Sequence, residues 1–172
     1  MILELRIAPD PILSTRAKEV VNVDDDIRQL LRDMVETMYA HDGAGLAANQ
    51  VGILKRVIVV DIARSNEKSQ LLKLINPVFT HKSEEMLEHD DGCLSVPGVW
   101  YTHPRPKYVT VEYLDENGKA CAMQAEGLLA YALQHEVDHL DGILFIEYLS
   151  SLKRGMIIKK LVKEKKRQSS RG

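Results

Sequence analysis

Cysteine and aromatic residues are scarce in this sequence, and long apolar runs are missing. The two cysteines, Cys93 and Cys121, can form at most one bridge, which excludes a disulfide-stabilised scaffold. Aromatic residues make up only 5% of the chain, so aliphatic side chains must fill its core. No apolar run is long enough to span a membrane, and residues 1–6 lack the basic and apolar regions of a signal peptide. We therefore expect a cytoplasmic protein with no membrane partner.

The length and charge of the chain predict one soluble domain, 1–172, with a basic end. Hydrophobic residues at 45% and charged residues at 28% are ordinary for a globular protein. The net charge of −2 is unevenly distributed. Residues 153–172 contain nine Lys and Arg and one acidic residue, Glu164, so their net charge is +8 and that of the remaining chain is −10. We expect 150–172 to form a basic C-terminal helix and tail. Such a tail favours a polyanionic partner, although a solvated helix end explains it equally well.

The stretch His135-Glu136-Val137-Asp138-His139 carries most of the functional information. In a helix, its two histidines lie one turn apart on one face, where both imidazoles can bind one metal ion. Glu136 lies between them and can act as a base toward water activated by that ion. Apolar residues on both sides indicate burial, which favours a metal site over an exposed polar face with two unrelated histidines.

A catalytic site of this kind usually has three protein ligands and one open position. Phe145 stands where one protease class has a third histidine, and little chain follows the motif, so the third ligand should lie upstream. Cys93 is the best candidate, because Asp91–Gly98 is rich in Gly and Pro and its backbone can approach a ligand closely. A small buried thiol explains Cys93 about equally well. The other candidates are Cys121, His41, His81, His89 and His103.

The small residues of Gly43-Ala44-Gly45-Leu46-Ala47-Ala48-Asn49-Gln50 superficially match the dinucleotide fingerprint G-x-G-x-x-A. A helix is predicted before this stretch and a strand soon after it, whereas the fingerprint requires the opposite order, so we reject a Rossmann fold. The small residues instead permit close packing of the backbone against a ligand. Gln50 is the polar side chain that can donate a hydrogen bond there, although an exposed amide is the plain alternative.

Periodicity and turn signals predict an α+β fold with mostly antiparallel sheets packed around the motif helix. Asp24 is a predicted N-cap for an N-terminal helix that ends near His41 and simply packs on the core. Ser150 is the predicted N-cap of a C-terminal helix. The predicted strands are 57–62, 71–80 with a break at Asn76-Pro77, 82–91, and a hairpin of 108–114 and 119–126 joined by a turn at 115–118.

Three of these stretches together resemble the bacterial peptide deformylase family: Gly43–Gln50, Gly92-Cys93-Leu94-Ser95 and His135–His139. Their order and intervals match, and the resemblance extends from about Arg6 to the last helix. It implies an α+β fold and a hydrolase that removes the formyl group from the N-terminal formyl-methionine of nascent polypeptides, releasing formate.

The resemblance also implies roles for individual residues. Cys93, His135 and His139 would be the metal ligands and Glu136 the catalytic acid and base, while Gln50 and the backbone N–H of Leu94 would bind the oxyanion. The metal would be Fe²⁺ in the cell, with Zn²⁺, Ni²⁺ or Co²⁺ as substitutes. Judged only by the softness of its ligand atoms, a set of two histidines and one cysteine suits zinc.

The small Gly43-Ala44-Gly45 segment would let an extended N-formylmethionyl peptide pair with its backbone. Gly92 would also contact the substrate. The wall of the methionine pocket would come from residues that precede His135 by one to two turns, and for Leu128 a plain core position is the alternative. These residues are Leu128, Tyr131 and Ala132. The basic tail would contact the phosphates of ribosomal RNA.

Two positions depart from the family pattern. Asp91 stands where glutamate is common, and we hypothesise that the missing methylene shifts a contact, for example one with Arg105. Trp100 stands where many bacterial members carry arginine, which puts in doubt a charged contact to the distal part of the substrate.

Three other classes of function compete with this interpretation. A general metallopeptidase would share the metal site but cleave peptide bonds. A structural metal protein needs a fourth ligand; none is evident near the three stretches, and Glu136 argues against this class. A nucleic-acid-binding module would depend on the tail alone, because the rest of the sequence has no basic patch.

Overall fold

The computed structural model of the protein describes residues 1–171 and has two antiparallel sheets with helices between and around them. The larger sheet has the strand order β1-β2-β3-β6-β7, and the smaller pairs β4 with β5. The strands are β1 (Gly45–Ala47), β2 (Val57–Val60), β3 (Leu72–Lys82), β4 (Met86–Cys93), β5 (Val96–Pro106), β6 (Tyr108–Leu114) and β7 (Ala120–Glu126). The helices are α1 (Asp25–Ala40), α2 (Gly127–Leu140) and α3 (Ser151–Arg171), and 3₁₀ turns span Pro11–Ser14, Ala48–Val51 and Phe145–Tyr148.

The larger sheet lies between α1 and α2, and β2 shows why. Its side chains alternate, so Val57 and Val59 pack with the residues of α1, while Ile58 and Val60 pack with those of α2. All four are fully buried, as expected for a strand covered on both faces. The predicted α+β class with a central motif helix is confirmed.

Helix α1 begins and ends as the sequence predicts. The Asp24 carboxylate accepts a hydrogen bond from the backbone N–H of Ile27 at 3.0 Å, which satisfies one free donor of the first turn. The Gly43 N–H donates to the Met38 carbonyl at 2.9 Å and closes the last turn. The apolar stripe of α1 is buried in the core, so the simple packing role expected for this helix is confirmed.

Helix α3 is held by its first half only. Ile157 and Leu161 are buried against Phe145 and its neighbours, whereas the residues of 163–171 are exposed. The Ser150 hydroxyl accepts from the Lys153 N–H at 3.3 Å, as expected of an N-cap. None of the helices described here is both long and apolar enough to cross a membrane.

Three details of the sheets differ from the sequence prediction. The first is β1, because Gly45–Ala47 is not predicted to be a strand. β3 continues through the predicted break, because Asn76-Pro77 forms a bulge that shifts the register with β6 between Ile75 and Val78. β5 was not predicted at all. Its prolines argue against a strand, since proline cannot donate to a ladder, but a strand in a two-stranded sheet has one free edge that tolerates them.

Asn76 at this bulge joins the N-terminal segment to the sheet. Its backbone has a φ of 52°, in the left-handed region that asparagine tolerates better than most residues. Its side-chain amide donates to the Val20 carbonyl at 2.9 Å, and its Oδ1 accepts from the Val20 N–H at 2.8 Å. The residue therefore combines two long-range hydrogen bonds with a backbone conformation that most side chains avoid.

Replacement of Asn76 should show these two contributions separately. Asn76→Ala loses both hydrogen bonds and puts at this position a residue that tolerates the left-handed region less well than asparagine, so we expect a loss of about 2–4 kcal/mol in the free energy of unfolding. Asn76→Gly loses the hydrogen bonds alone and should retain about 1 kcal/mol more. Urea denaturation measures both values, and equal stability of the two variants would contradict the backbone part of this explanation.

Candidate metal centre

Three potential metal ligands meet where β4 ends beside α2. Cys93 is the last residue of β4, and His135 and His139 lie one turn apart on α2. The Cys93 Sγ lies 3.3 Å from His139 Nε2, which lies 3.0 Å from His135 Nε2. Both histidines are buried and the cysteine is partly buried. The structure thus brings together the three residues that the sequence singled out as ligands.

The geometry and chemistry of this group fit a metal ion. Tetrahedral bonds of about 2.0–2.3 Å place neighbouring donor atoms roughly 3.3–3.6 Å apart, close to the observed separations. One thiol and two imidazoles are a donor set that borderline and soft divalent ions prefer. Within residues 1–171, no second group of three His, Cys, Asp or Glu donors converges in this way. Cys93, His135 and His139 can therefore hold one metal ion.

Asp91 connects the histidine side of this group to the β4–β5 hairpin. Its Oδ1 lies 2.6 Å from His135 Nδ1, although the two are not aligned as a regular hydrogen bond. Its Oδ2 accepts from the Arg105 guanidinium at 3.0 Å, so the contact hypothesised between these residues is present. Burial opposes the charge of Asp91, but His135 and Arg105 outweigh it and hold the pKa of this carboxyl well below its usual range.

Arg105 is shared between two carboxylates. It donates to Asp138 Oδ2 at 2.8 Å as well as to Asp91. Burial disfavours the guanidinium charge, yet Asp138 and Asp91 more than compensate and raise the pKa of Arg105 further above its usual range. Asp138 also accepts from the hydroxyl of Tyr148 at 2.7 Å. The arginine therefore ties the hairpin to the helix that carries both histidines.

Glu136 faces the ligand group from the same helix. Its Oε1 lies 3.6 Å from His135 Nε2, and its Oε2 is buried without a protein partner. Burial raises the pKa of Glu136 to about 7, and the neighbouring His135 only partly offsets this rise. A Cβ on Gly45 would lie 2.9 Å from Glu136 Cδ and Cγ, so glycine is required for this close approach. A carboxyl that exchanges its proton near neutral pH is suited to general acid–base chemistry.

Gln50 lies on the cysteine side of the group. Its Nε2 donates to the Ser95 hydroxyl at 3.1 Å and lies 3.3 Å from the Cys93 sulfur, while its Oε1 accepts from the Ala47 N–H at 3.0 Å. The side chain is 1% exposed, so the alternative of an ordinary exposed amide is wrong for Gln50. A buried donor is thereby fixed next to the sulfur.

A cleft of about 580 Å³ opens onto the ligand group. It brings together most of the site residues selected from the sequence. These are Ala44, Gly45, Gln50, Gly92, Cys93, Leu94, Tyr131, Ala132, His135 and Glu136. His139 lies behind them at 1% exposure. Leu128 is not among the described residues that line the cleft, because it lies in the first turn of α2, where its side chain is 44% exposed.

Two aromatic residues shape the cleft. The Tyr131 hydroxyl donates to the carbonyl of His103 at 2.7 Å and lies 3.0 Å from the carbonyl of His89, so it links α2 to both strands of the β4–β5 hairpin. Trp100 lies at the rim with 69% of its surface exposed, and its ring covers Gly92 so closely that a Cβ there would overlap it.

Sequence reasoning missed the part of the site contributed by β5. His103 was considered only as a possible ligand, but its Nε2 lies 2.7 Å from Asp91 Oδ2, away from the three converging donors. Without a predicted β5, no signal placed this side chain next to Asp91. The other alternative ligands do not join the group either, although two of them, His41 and His89, line the cleft. These alternatives are Cys121, His41, His81 and His89.

Comparison with known proteins places these features in a family. The sequence profile of the family described as polypeptide deformylase matches residues 2–155. A peptide deformylase of Rhizobium meliloti is 47% identical over 170 residues, covering 99% of this chain and 98% of that protein. The crystal structure of peptide deformylase from Ehrlichia chaffeensis has a TM-score of 0.93 at 41% identity, covering 98% of this chain and 99% of the other. The same enzyme in complex with actinonin gives 0.91 at 43% identity, with 95% and 97% covered.

The two cysteines provide a matched test of the metal centre. We expect Cys93→Ala to weaken metal binding by more than about 100-fold, since loss of even an outer contact to a ligand typically costs 10–100-fold. Cys121, on β7 and outside the ligand group, should tolerate the same change. Titration with Co²⁺, followed by the d–d absorption of the bound ion, measures the affinity of both variants, and the thiolate-to-metal band should be missing from Cys93→Ala alone. Equal Co²⁺ affinity of the two variants would rule out Cys93 as a ligand.

Proposed function

The chain belongs to the polypeptide deformylase family and removes the formyl group from the N-terminal formyl-methionine of nascent polypeptides; we propose that it does so in the cleft beside Cys93, His135 and His139. The observation that carries this proposal is the convergence of these three donors at the wall of a cleft that also exposes Glu136 and the edge of β1. The three residues would hold the metal ion on which the family depends.

When bound, the metal ion supplies a Lewis acid that lowers the pKa of water toward about 7 and polarises the formyl group. Glu136 is the acid and base in this proposal. Its carboxylate, whose Oε1 is 3.6 Å from the proposed ligand atom Nε2 of His135, takes the proton of the attacking water and later delivers it to the departing amine of methionine. Gly45 leaves room for this carboxyl, because a Cβ there would lie 2.9 Å from its Cδ.

Gln50 and the backbone N–H of Leu94 stabilise the developing oxyanion in this proposal. The amide of Gln50 is held by Ala47 and Ser95, so its donor is already oriented before substrate arrives. Leu94 follows Cys93 directly and lines the same cleft. The two donors thus come from different elements on the cysteine side of the site.

The substrate peptide would add a strand to the larger sheet. β1 is an edge strand, paired on one side with β2, and Ala44 and Gly45 line the cleft. An extended peptide can therefore form backbone hydrogen bonds with this edge. Gly92, Tyr131 and Ala132, also in the cleft, are proposed to surround the methionine side chain, with Leu128 outside it near the start of α2.

We propose Fe²⁺ as the metal in the cell, with Zn²⁺, Ni²⁺ and Co²⁺ as working substitutes, and the cytoplasm as the compartment. The partly buried thiol of Cys93 supports a reducing compartment, because it must remain an unoxidised thiolate to bind metal. The His₂Cys set accepts all four ions on donor chemistry.

The assigned roles of Glu136 and Gln50 predict two different losses of activity. Formate release from formyl-Met-Ala-Ser should fall by about 10²–10⁴ in Glu136→Gln, since proton transfer is lost. It should fall by about 10²–10³ in Gln50→Ala, since one oxyanion donor is lost. The protein is purified anaerobically with Fe²⁺, and the metal content of each variant is measured beside its rate.

The exposed carboxylate Glu112 on β6 gives the matched control, because Glu112→Gln should retain full activity. Unformylated Met-Ala-Ser should not be cleaved. If metal-loaded wild type cleaved the free peptide and released no formate, the substrate assignment would be wrong and a general metallopeptidase would replace it.

We also propose that the basic C-terminal part of α3, from Lys159 onward, binds the ribosome. Its basic residues are exposed, and Lys159, Lys163 and Lys166 lie on the face opposite the buried Ile157 and Leu161. No buried side chain anchors 163–171. This face can therefore approach RNA phosphates without disturbing the core.

Charge reversal on α3 tests this contact. In the triple variant Lys159→Glu, Lys163→Glu, Lys166→Glu we expect weaker ribosome binding. The slope of log K against log salt concentration should fall in magnitude by about 2–3. A control with the exposed Lys68, Lys82 and Lys119 changed to Glu has the same net charge and should bind nearly as wild type. Formate release from a short peptide should stay unchanged in both. Wild-type ribosome affinity in the α3 variant would eliminate the proposed surface.

A further inference from the structure

Three basic side chains surround the buried carboxylate of Asp91, and only one of them is a proposed metal ligand. His135 Nδ1 approaches Oδ1 at 2.6 Å, whereas His103 Nε2 and Arg105 approach Oδ2 at 2.7 and 3.0 Å. His103 and Arg105 lie two residues apart on β5, so their side chains point to the same face. Asp91, His103 and Arg105 are each less than 9% exposed.

We propose that His103 is a positioning residue for the metal centre: it fixes Asp91 so that the other carboxylate oxygen holds the ring of His135. A carboxylate bound by Arg105 alone can rotate about that contact. A second donor on the same oxygen, from a different direction, restricts this rotation and leaves Oδ1 facing His135. The contact of Oδ1 with Nδ1 then leaves Nε2 of His135 free to act as a ligand.

His103 is itself held rigidly. Its ring stacks on Tyr148 with centroids 4.9 Å apart and an angle of 20° between the planes. Its backbone carbonyl accepts the Tyr131 hydroxyl at 2.7 Å. The hydroxyl of Tyr148 is bound in turn to Asp138, the second partner of Arg105. The same contacts therefore position both donors to Asp91 Oδ2.

The short side chain of Asp91 explains why this second donor is needed. A glutamate at this position would extend the carboxylate by about 1.5 Å, one C–C bond. It would then meet the ring of His103, whose Nε2 already lies 2.7 Å from the aspartate oxygen. Conversely, removal of the His103 ring would open space for a longer carboxylate. Asp91 and His103 should therefore behave as a matched pair whose effects on metal binding are not additive.

A double-mutant cycle on metal retention tests this pair. The four proteins are wild type, His103→Leu, Asp91→Glu and the double variant, each loaded with Co²⁺ and challenged with EDTA. We expect each single variant to lose Co²⁺ about 10–100 times faster, as for other groups that orient a metal ligand. The double variant should return to within a few-fold of wild type. His103→Gln, whose amide can still donate, should lie between wild type and His103→Leu.

Two controls separate this role from a general loss of structure. His81 on β3 is exposed, and His81→Leu should retain Co²⁺ as wild type does. Thermal unfolding of the metal-free variants shows whether the fold itself is weakened. If His103→Leu does not fold, two comparisons still test the pair. His103→Gln should lose Co²⁺ faster than wild type, and the double variant should lose it more slowly than Asp91→Glu.

The inference would be overturned by wild-type Co²⁺ retention in His103→Leu, by additive losses in the double variant, or by losses that simply follow thermal stability. It rests on the proposed function only in taking His135 as a metal ligand. Absence of formate release from metal-loaded wild type would reject the substrate assignment, whereas Co²⁺ retention tests the Asp91–His103 pair without any substrate.

Discussion

The buried carboxylate of Asp91 is the charge around which the site is arranged. An uncompensated buried charge destabilises a protein by about 3–5 kcal/mol, so its partners must be in place before the charge is tolerated. Those partners come from two elements, because His103 and Arg105 lie on β5 and His135 lies on α2. Arg105, paired with both Asp91 and Asp138, therefore fixes the distance between the hairpin that carries Cys93 and the helix that carries the histidines. Ion pairing thus positions the proposed metal ligands relative to one another.

Features encoded within a short stretch of sequence could be predicted well. The i, i+4 spacing of His135 and His139 places both rings on one face in any regular helix, so these donors needed no tertiary information. The Asp24 cap and the apolar stripe after it located α1, and the turn at 115–118 located the β6–β7 hairpin. The α+β class follows from these elements together, because each has one apolar face to bury.

Features that depend on strand register could not be predicted in the same way. β5 contains Pro97, Pro104 and Pro106 and reads as a loop, and only its pairing with β4 brings His103 and Arg105 beside Asp91. The exposure of Leu128 likewise depends on where α2 emerges from the sheet. Periodicity puts Leu128 and Ala132 on the same helix face, but it does not show that the cleft ends between them. The residues that can bind metal or transfer a proton could be predicted from the sequence. The contacts that orient them, such as those of His103 and Arg105 with Asp91, could not.

The position of Trp100 gives this site an optical signal of its own. It is the only tryptophan in the chain, and it lies over Gly92, next to a proposed metal ligand, with 69% of its surface in water. The tryptophan fluorescence of the protein therefore comes from the mouth of the cleft rather than from the core. A peptide that covers this indole removes it from water, and its emission shifts toward shorter wavelength, so occupancy of the cleft can be followed without a label.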